Sequence, residues 1–223
     1  MLRRLTMLGG AAIAAVLLAV PAQAAPVIDF QTGTAGVGGT ISWDGTNLIG
    51  NNIPIGQMNV SDADQNNGGF VVSGLVTAQN GTNAYGDLDF NTGANGDNFI
   101  TITGCIAGMG IGTLNSAGQC VAPVVLMSGS FTDWQAGPRG LIAGVGPDTK
   151  NQLLLDAIGF DADLPWEFFG FSVVTPQTAM IPGGPPGTVV STDIVNAPIP
   201  EPATMMLLGT GLLAAFRARR RQA

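Results

Sequence analysis

The sequence predicts an all-β protein, an antiparallel β-sandwich of jelly-roll-like form, and three observations predict it. Short runs rich in valine, isoleucine, phenylalanine and threonine recur along the chain, the composition of half-buried strands. Between them stand dipeptides that tolerate positive φ and close hairpins: Asp44-Gly45, Asn67-Gly68, Asn80-Gly81 and Asn95-Gly96. Away from the two ends, no segment sustains apolar residues at the three- and four-residue spacing of a helix face, and 33 glycines punctuate the 223 residues.

Taken in order, strands are expected at 27–31, 40–43, 48–50, 70–77, 88–91, 99–106, 124–131, 153–160, 168–175 and 188–195. Ten short strands with tight turns favour a sandwich in which both sheets turn one face inward. The body is expected over 25–175, followed at 176–198 by a spacer rich in proline and glycine, with a last strand inside it. Both ends of the chain are of a different material.

At the N-terminus, Arg3 and Arg4 precede an apolar stretch over 5–20, and Pro21-Ala22-Gln23-Ala24 supplies the small residues of a cleavage site. This is the layout of a secretory signal peptide helix over 1–24, cut by signal peptidase between Ala24 and Ala25. An exported body changes the balance of charge. Only Arg139 and Lys150 are basic between residues 25 and 199, against fourteen acids, a net charge of −12. Nucleic acid is excluded as a partner, because nothing basic is present to neutralise phosphates.

At the C-terminus, Pro200-Glu201-Pro202 precedes an apolar run over 203–216, and Arg217, Arg219, Arg220 and Arg221 follow it. Fourteen residues of helix cover about 21 Å, short of a hydrocarbon core of about 30 Å. The prolines hold the chain extended ahead of this short hydrophobic helix, and the arginines keep its end on the cytoplasmic side. The tripartite tail over 199–223 resembles the PEP-CTERM sorting signal of Gram-negative bacteria that make exopolysaccharide. The segments GTISWDGTNLIGNNIPIG, LDFNTGANGDNFITITG and DADLPWEFFGFS look like elements of β-rich members of that group. The resemblance implies processing by the membrane protease exosortase, transient residence in the inner membrane, and a final place at the cell surface or in the extracellular matrix. It carries no shared enzymatic activity.

Chemistry in the body is sparse. The chain has no histidine, which excludes Ser-His-Asp and Cys-His catalysis and any imidazole zinc site. Cys105 and Cys120 are the only cysteines, and in an oxidising compartment an even count favours a disulfide. Asp62, Asp64, Asn66 and Gly68 place oxygen ligands at alternate positions, as in a loop that wraps calcium. The twelfth position of that loop is Ser73 and not a bidentate glutamate, so calcium loop and solvated turn both stay open. Asp87, Asp89, Asn91 and Gly93 repeat the spacing, yet Leu88 and Phe90 alternate with them as in a half-buried strand. No other cofactor is expected.

Three function classes follow. The first is a non-enzymatic surface or matrix protein associated with exopolysaccharide or biofilm. The second is a carbohydrate-binding module, which requires exposed aromatic rings. The third is a glycoside hydrolase using Asp161, Asp163 or Glu167, beside Trp166, Phe168 and Phe169. For those aromatics, core packing at the start of a strand is the simpler expectation.

Overall fold

The computed structural model describes residues 27–61 except 36, 68–74, 85–93, 97–137, 140–160, 163–199, 209–212 and 219. Alternation of buried and half-exposed residues builds the first strand, β1 (Val27–Gln31), with Ile28 and Phe30 inside. The chain continues through β2 (Gly38–Trp43), β3 (Leu48–Ile55), β4 (Gln57–Ser61), β5 (Gly68–Val71), β6 (Gly86–Thr92) and β7 (Asn98–Gly104). After a small hairpin, β8 (Thr113–Leu114) and β9 (Cys120–Ala122), come β10 (Val124–Gly129), β11 (Asp133–Ala136) and β12 (Leu141–Lys150). One helix, α1 (Gln152–Ile158), precedes β13 (Trp166–Val174), β14 (Gly187–Val189) and β15 (Ser191–Pro198).

Every strand pairing is antiparallel. Thirteen strands join in one sheet of order β14-β2-β3-β6-β7-β10-β12-β13-β15-β1-β4-β5, with β11 beside β12. That sheet folds over on itself. Phe90 of β6 lies 5.1 Å from Phe171 of β13, although four steps of strand order separate the two strands. In a flat sheet those steps would span about 19 Å. The fold is therefore sandwich-like, its two faces belonging to one continuous ladder. Gly56 alone separates β3 in one layer from β4 in the other. Beyond β5, Ser73 exchanges backbone hydrogen bonds with Cys105, which laces that end of the strand order to the end of β7.

Four phenylalanines fill the space between the layers. Phe131 packs edge-on against Phe168 at 5.2 Å and Phe171 at 5.1 Å, and Phe90 reaches both Phe131 and Phe171. The glycines of β12 make room for these rings, since a Cβ at Gly144 would stand 2.7 Å from Phe131. Gly144 and Gly146 thus occupy core positions of a strand in which residues 142, 144, 146 and 148 all face inward.

Two expectations are corrected here. The segment expected as a strand over 153–160 is the helix α1. Asn151 caps it, its side chain accepting from the Leu153 N–H at 3.0 Å, and Gly159 ends it in the left-handed conformation with φ 77°. Leu154, Leu155 and Ile158 form its buried stripe, and leucine is a strong helix former. The stretch over 176–198, expected as a spacer around one last strand at 188–195, has strands there, β14 and β15, and is otherwise built into the fold as well. Residues Gln177–Met180 form a 3-10 turn with Ala179 buried, and β15 lies in the interior of the sheet between β13 and β1. Its alternation of Thr192, Ile194 and Asn196 as buried residues marks it as a core strand.

Cys105 and Cys120 are joined, with Cα atoms 5.8 Å apart, and both are fully buried. The disulfide closes a loop that contains β8 and ends at the first residue of β9. Among the described residues no helix is long and apolar enough to cross a membrane. The expected signal peptide over 1–24 and its cleavage site between Ala24 and Ala25 lie outside the described residues.

Candidate functional site

The body of the fold ends where the tail begins. Pro198 closes β15 in register with Trp166, which is buried at the start of β13. One residue later the Ile199 N–H donates to the Pro165 carbonyl at 2.7 Å. This is the last backbone hydrogen bond between the sheet and the chain ahead of the tail among the described residues. Ile199 thus stands at the end of the β13–β15 pair, close to the paired Glu167 and Ala197.

The family model of the PEP-CTERM protein-sorting motif matches residues 198–221. The chain carries a PEP-CTERM sorting motif at its C-terminus. No curated protein and no solved structure matches it. The motif marks an exported protein sorted to the cell envelope, and it implies processing by exosortase. Its first matched residue, Pro198, is the last residue of β15, so sorting motif and folded body meet without a linker between them. Pro200, Glu201, Pro202, Arg217, Arg220 and Arg221 lie outside the described residues, while 209–212 and Arg219 are helical. A chain cut after Ile199 is expected to keep its melting temperature within about 2 °C, since every backbone hydrogen bond of the sheet among the described residues up to Ile199 is retained. A chain cut after Ser191 loses an interior strand and is expected not to fold, with far-UV circular dichroism as the measurement.

The residues singled out in the sequence fall at separate places. Asp62, Asp64 and Asn66 lie outside the described residues, and Gly68 opens β5 opposite Val60. In the second acidic run Leu88 and Phe90 are buried, while Asp87, Asp89 and Asn91 face outward. Asp89 is occupied with structure, its Oδ1 accepting from the Asn52 N–H at 2.8 Å where β3 bulges and Asn52 takes φ 50°. Among the described residues no group of three or more Cys, Asp or Glu is arranged to hold a metal ion. Trp166 and Phe168 are core residues, whereas Phe169 and Glu167 point outward and Asp163 is exposed. Asp161 lies outside the described residues.

Three features had no signal in the sequence on its own. An open cleft of about 440 Å³ is lined by Phe99, Thr101, Ser128, Ser130, Pro147 and Thr149 on the outer face of β7, β10 and β12. Phe99 is 41% exposed there, amid hydroxyl groups. The second feature is an acid pair. Burial and a hydrogen-bonded Asp193 carboxyl push Asp29 up to about 7, against which Gln31 and Asn59 act weakly. The folded state thus holds a proton that the unfolded chain releases above its ordinary value of 3.8. Stability is therefore expected to fall as pH rises from about 4 to about 7. Asp29→Asn should flatten that slope in melting curves taken across the interval.

The third feature is a polar cluster inside the fold. Lys150, the only lysine, turns inward from β12 and pairs with Asp148. Neither side chain has exposed surface. The Lys150 Nζ also donates to Asn196 Oδ1 at 3.1 Å and lies 5.1 Å from the centre of the Trp166 ring. Burial holds Lys150 down to about 8 in spite of Asp148, and burial raises Asp148 in spite of Lys150. Residues 148 and 150 share a face only if 141–150 is a strand, and its glycines and proline concealed that strand in the sequence.

Proposed function

We infer that this PEP-CTERM protein is a non-enzymatic component of the surface or extracellular matrix of a Gram-negative cell. It crosses the inner membrane, is held there by its tail, is released from the tail by exosortase and associates with exopolysaccharide. The observation that carries this is the direct succession of a closed β-fold and a sorting motif that starts at its last strand residue. The strong negative charge of the body supports it, because such a charge keeps a concentrated extracellular protein soluble. The test is the intact mass of the protein from its native host, with and without exosortase. Loss of both ends in the first case, with the arginine tail retained in the second, is the expected result. An arginine tail retained in both would overturn the proposal.

A second reading rests on the cleft around Phe99. An exposed ring among hydroxyl groups suits stacking on a sugar face, so the fold could serve as a carbohydrate-binding module. Retardation in gels containing the host's polysaccharide, abolished by Phe99→Ala, is the result it requires. Equal mobility of both proteins with and without polysaccharide would exclude it.

A further inference from the structure

The geometry points to an isopeptide bond between Lys150 and Asn196, formed inside the folded protein with Asp148 carrying the proton. The lysine amine and the asparagine carboxamide are held together by three strands. Lys150 comes from β12 and Asn196 from β15, with Trp166 of β13 beneath the amine. Nζ stands 3.1 Å from Asn196 Oδ1. One carbonyl bond of about 1.23 Å separates that oxygen from the carbon to be attacked, so Cγ lies within about 4.3 Å of the nucleophile. The carboxamide is fixed in direction, because its Nδ2 donates to the Ile28 carbonyl at 3.1 Å and the Ile194 carbonyl at 2.8 Å. Its oxygen side is the one turned to the amine. Such placement removes most of the entropic cost of a bimolecular reaction.

Buried charges are costly here, and the reaction removes them. Both partners of the Lys150–Asp148 pair are withdrawn from water, and burial favours their neutral forms. The amine passes its proton to the Asp148 carboxylate, whose Oδ2 has no hydrogen-bond partner and is free to hold it. Neutral Nζ then attacks Cγ of Asn196, and the new carbon–nitrogen bond forms. As the Cγ–Nδ2 bond breaks, the nitrogen released takes a proton from Nζ and the one held by Asp148, and leaves as ammonium. Lysine ammonium plus carboxamide gives a secondary amide plus ammonium, so the step needs no oxidant and no other reactant. Gly129 serves the same arrangement, because a Cβ there would stand 2.9 Å from Cβ of Asp148.

The bond would join residues 46 apart and fasten β15 to β12 two residues before β15 ends. Any load placed on the tail would then pass into the body through a covalent link.

The chain's single lysine gives a direct test. The full chain is purified, reduced, mapped for its ends and weighed, then digested with trypsin. The expected mass is about 17 Da below that calculated for those ends, one ammonia lost to the lysine amine. Trypsin should leave the bond after Lys150 uncut, and the fragment ions should join Lys150 to Asn196. Asn196→Ala and Asp148→Asn should each restore the full mass and the cut. The wild-type result stands even if a variant fails to fold. Full mass with complete cleavage at Lys150 would overturn the inference. So would a deficit confined to an Asn-Gly pair with Lys150 cut, or one of about 18 Da mapped to a Lys150–Asp148 link.

Discussion

Replacing Phe171 by alanine is expected to lower the unfolding free energy by about 3–5 kcal/mol. Phe171 is 1% exposed on β13, and its ring meets Phe90 and Phe131 edge-on at 5.1 Å each. Phe90 belongs to the opposite layer, so the ring is where the folded sheet closes upon itself. Alanine would remove the transfer energy of the ring and three aromatic pairs, the third with Phe168 at 6.4 Å, and it would leave a void that β12 and β13 are too tightly hydrogen-bonded to fill. The neighbouring Phe169 provides the comparison, since it is 48% exposed on the same strand. Phe169→Ala is expected to change stability by no more than about 0.5 kcal/mol. Urea denaturation of both variants decides the matter. A loss below about 1.5 kcal/mol at Phe171 would mean that the two layers do not meet over it.

The second large effect is expected at the disulfide. Replacing Cys105 and Cys120 by serine should cost about 3 kcal/mol, the chain-entropy value for a loop of fifteen residues. In a body of this size that is a fall of about 6–12 °C in melting temperature. Both sulfurs are buried, so the variant also places two hydroxyl groups in apolar surroundings. Cys105 is also the residue to which Ser73 pairs, so loosening the loop should loosen the lacing of β5 to β7. Reduced wild type should melt close to the variant. If reduction leaves the melting temperature unchanged, the loop is held by its other contacts and the bond contributes little.

Much of this fold could be read from the residues, and the failures have physical causes. Strand β1 begins and ends where its alternation of Ile28 and Phe30 with polar residues begins and ends. Asp87 and Asp89 sit on an outward face because Leu88 and Phe90 need the core. The disulfide was legible because two cysteines in an exported chain leave one pairing. By contrast, the run from Leu153 to Leu155 fits two periods, and only the caps on either side of it, Asn151 and Gly159, decide for the helix. Strand β12 was hidden because its core positions include Gly144 and Gly146, whose missing side chains are the space that Phe131, Phe168 and Phe171 occupy. No local pattern could place Asn196 against Lys150, because that contact depends on strand order and on the fold of the sheet. The sorting motif needed no fold at all, as its order of proline, apolar and basic residues is itself the signal.

The position of β15 has a bearing on how the protein is made. It pairs with β1 through contacts such as Ile28 with Asn196, which join the first and last strands of the body. A β-architecture dominated by distant partners closes slowly, and no early portion of it can complete the interior by itself. The polypeptide therefore stays threadable through a translocation channel until almost the last residue ahead of the apolar tail has emerged. Completion of the fold and emergence of the sorting motif then fall at the same moment, and a premature compact state is kept from blocking the passage.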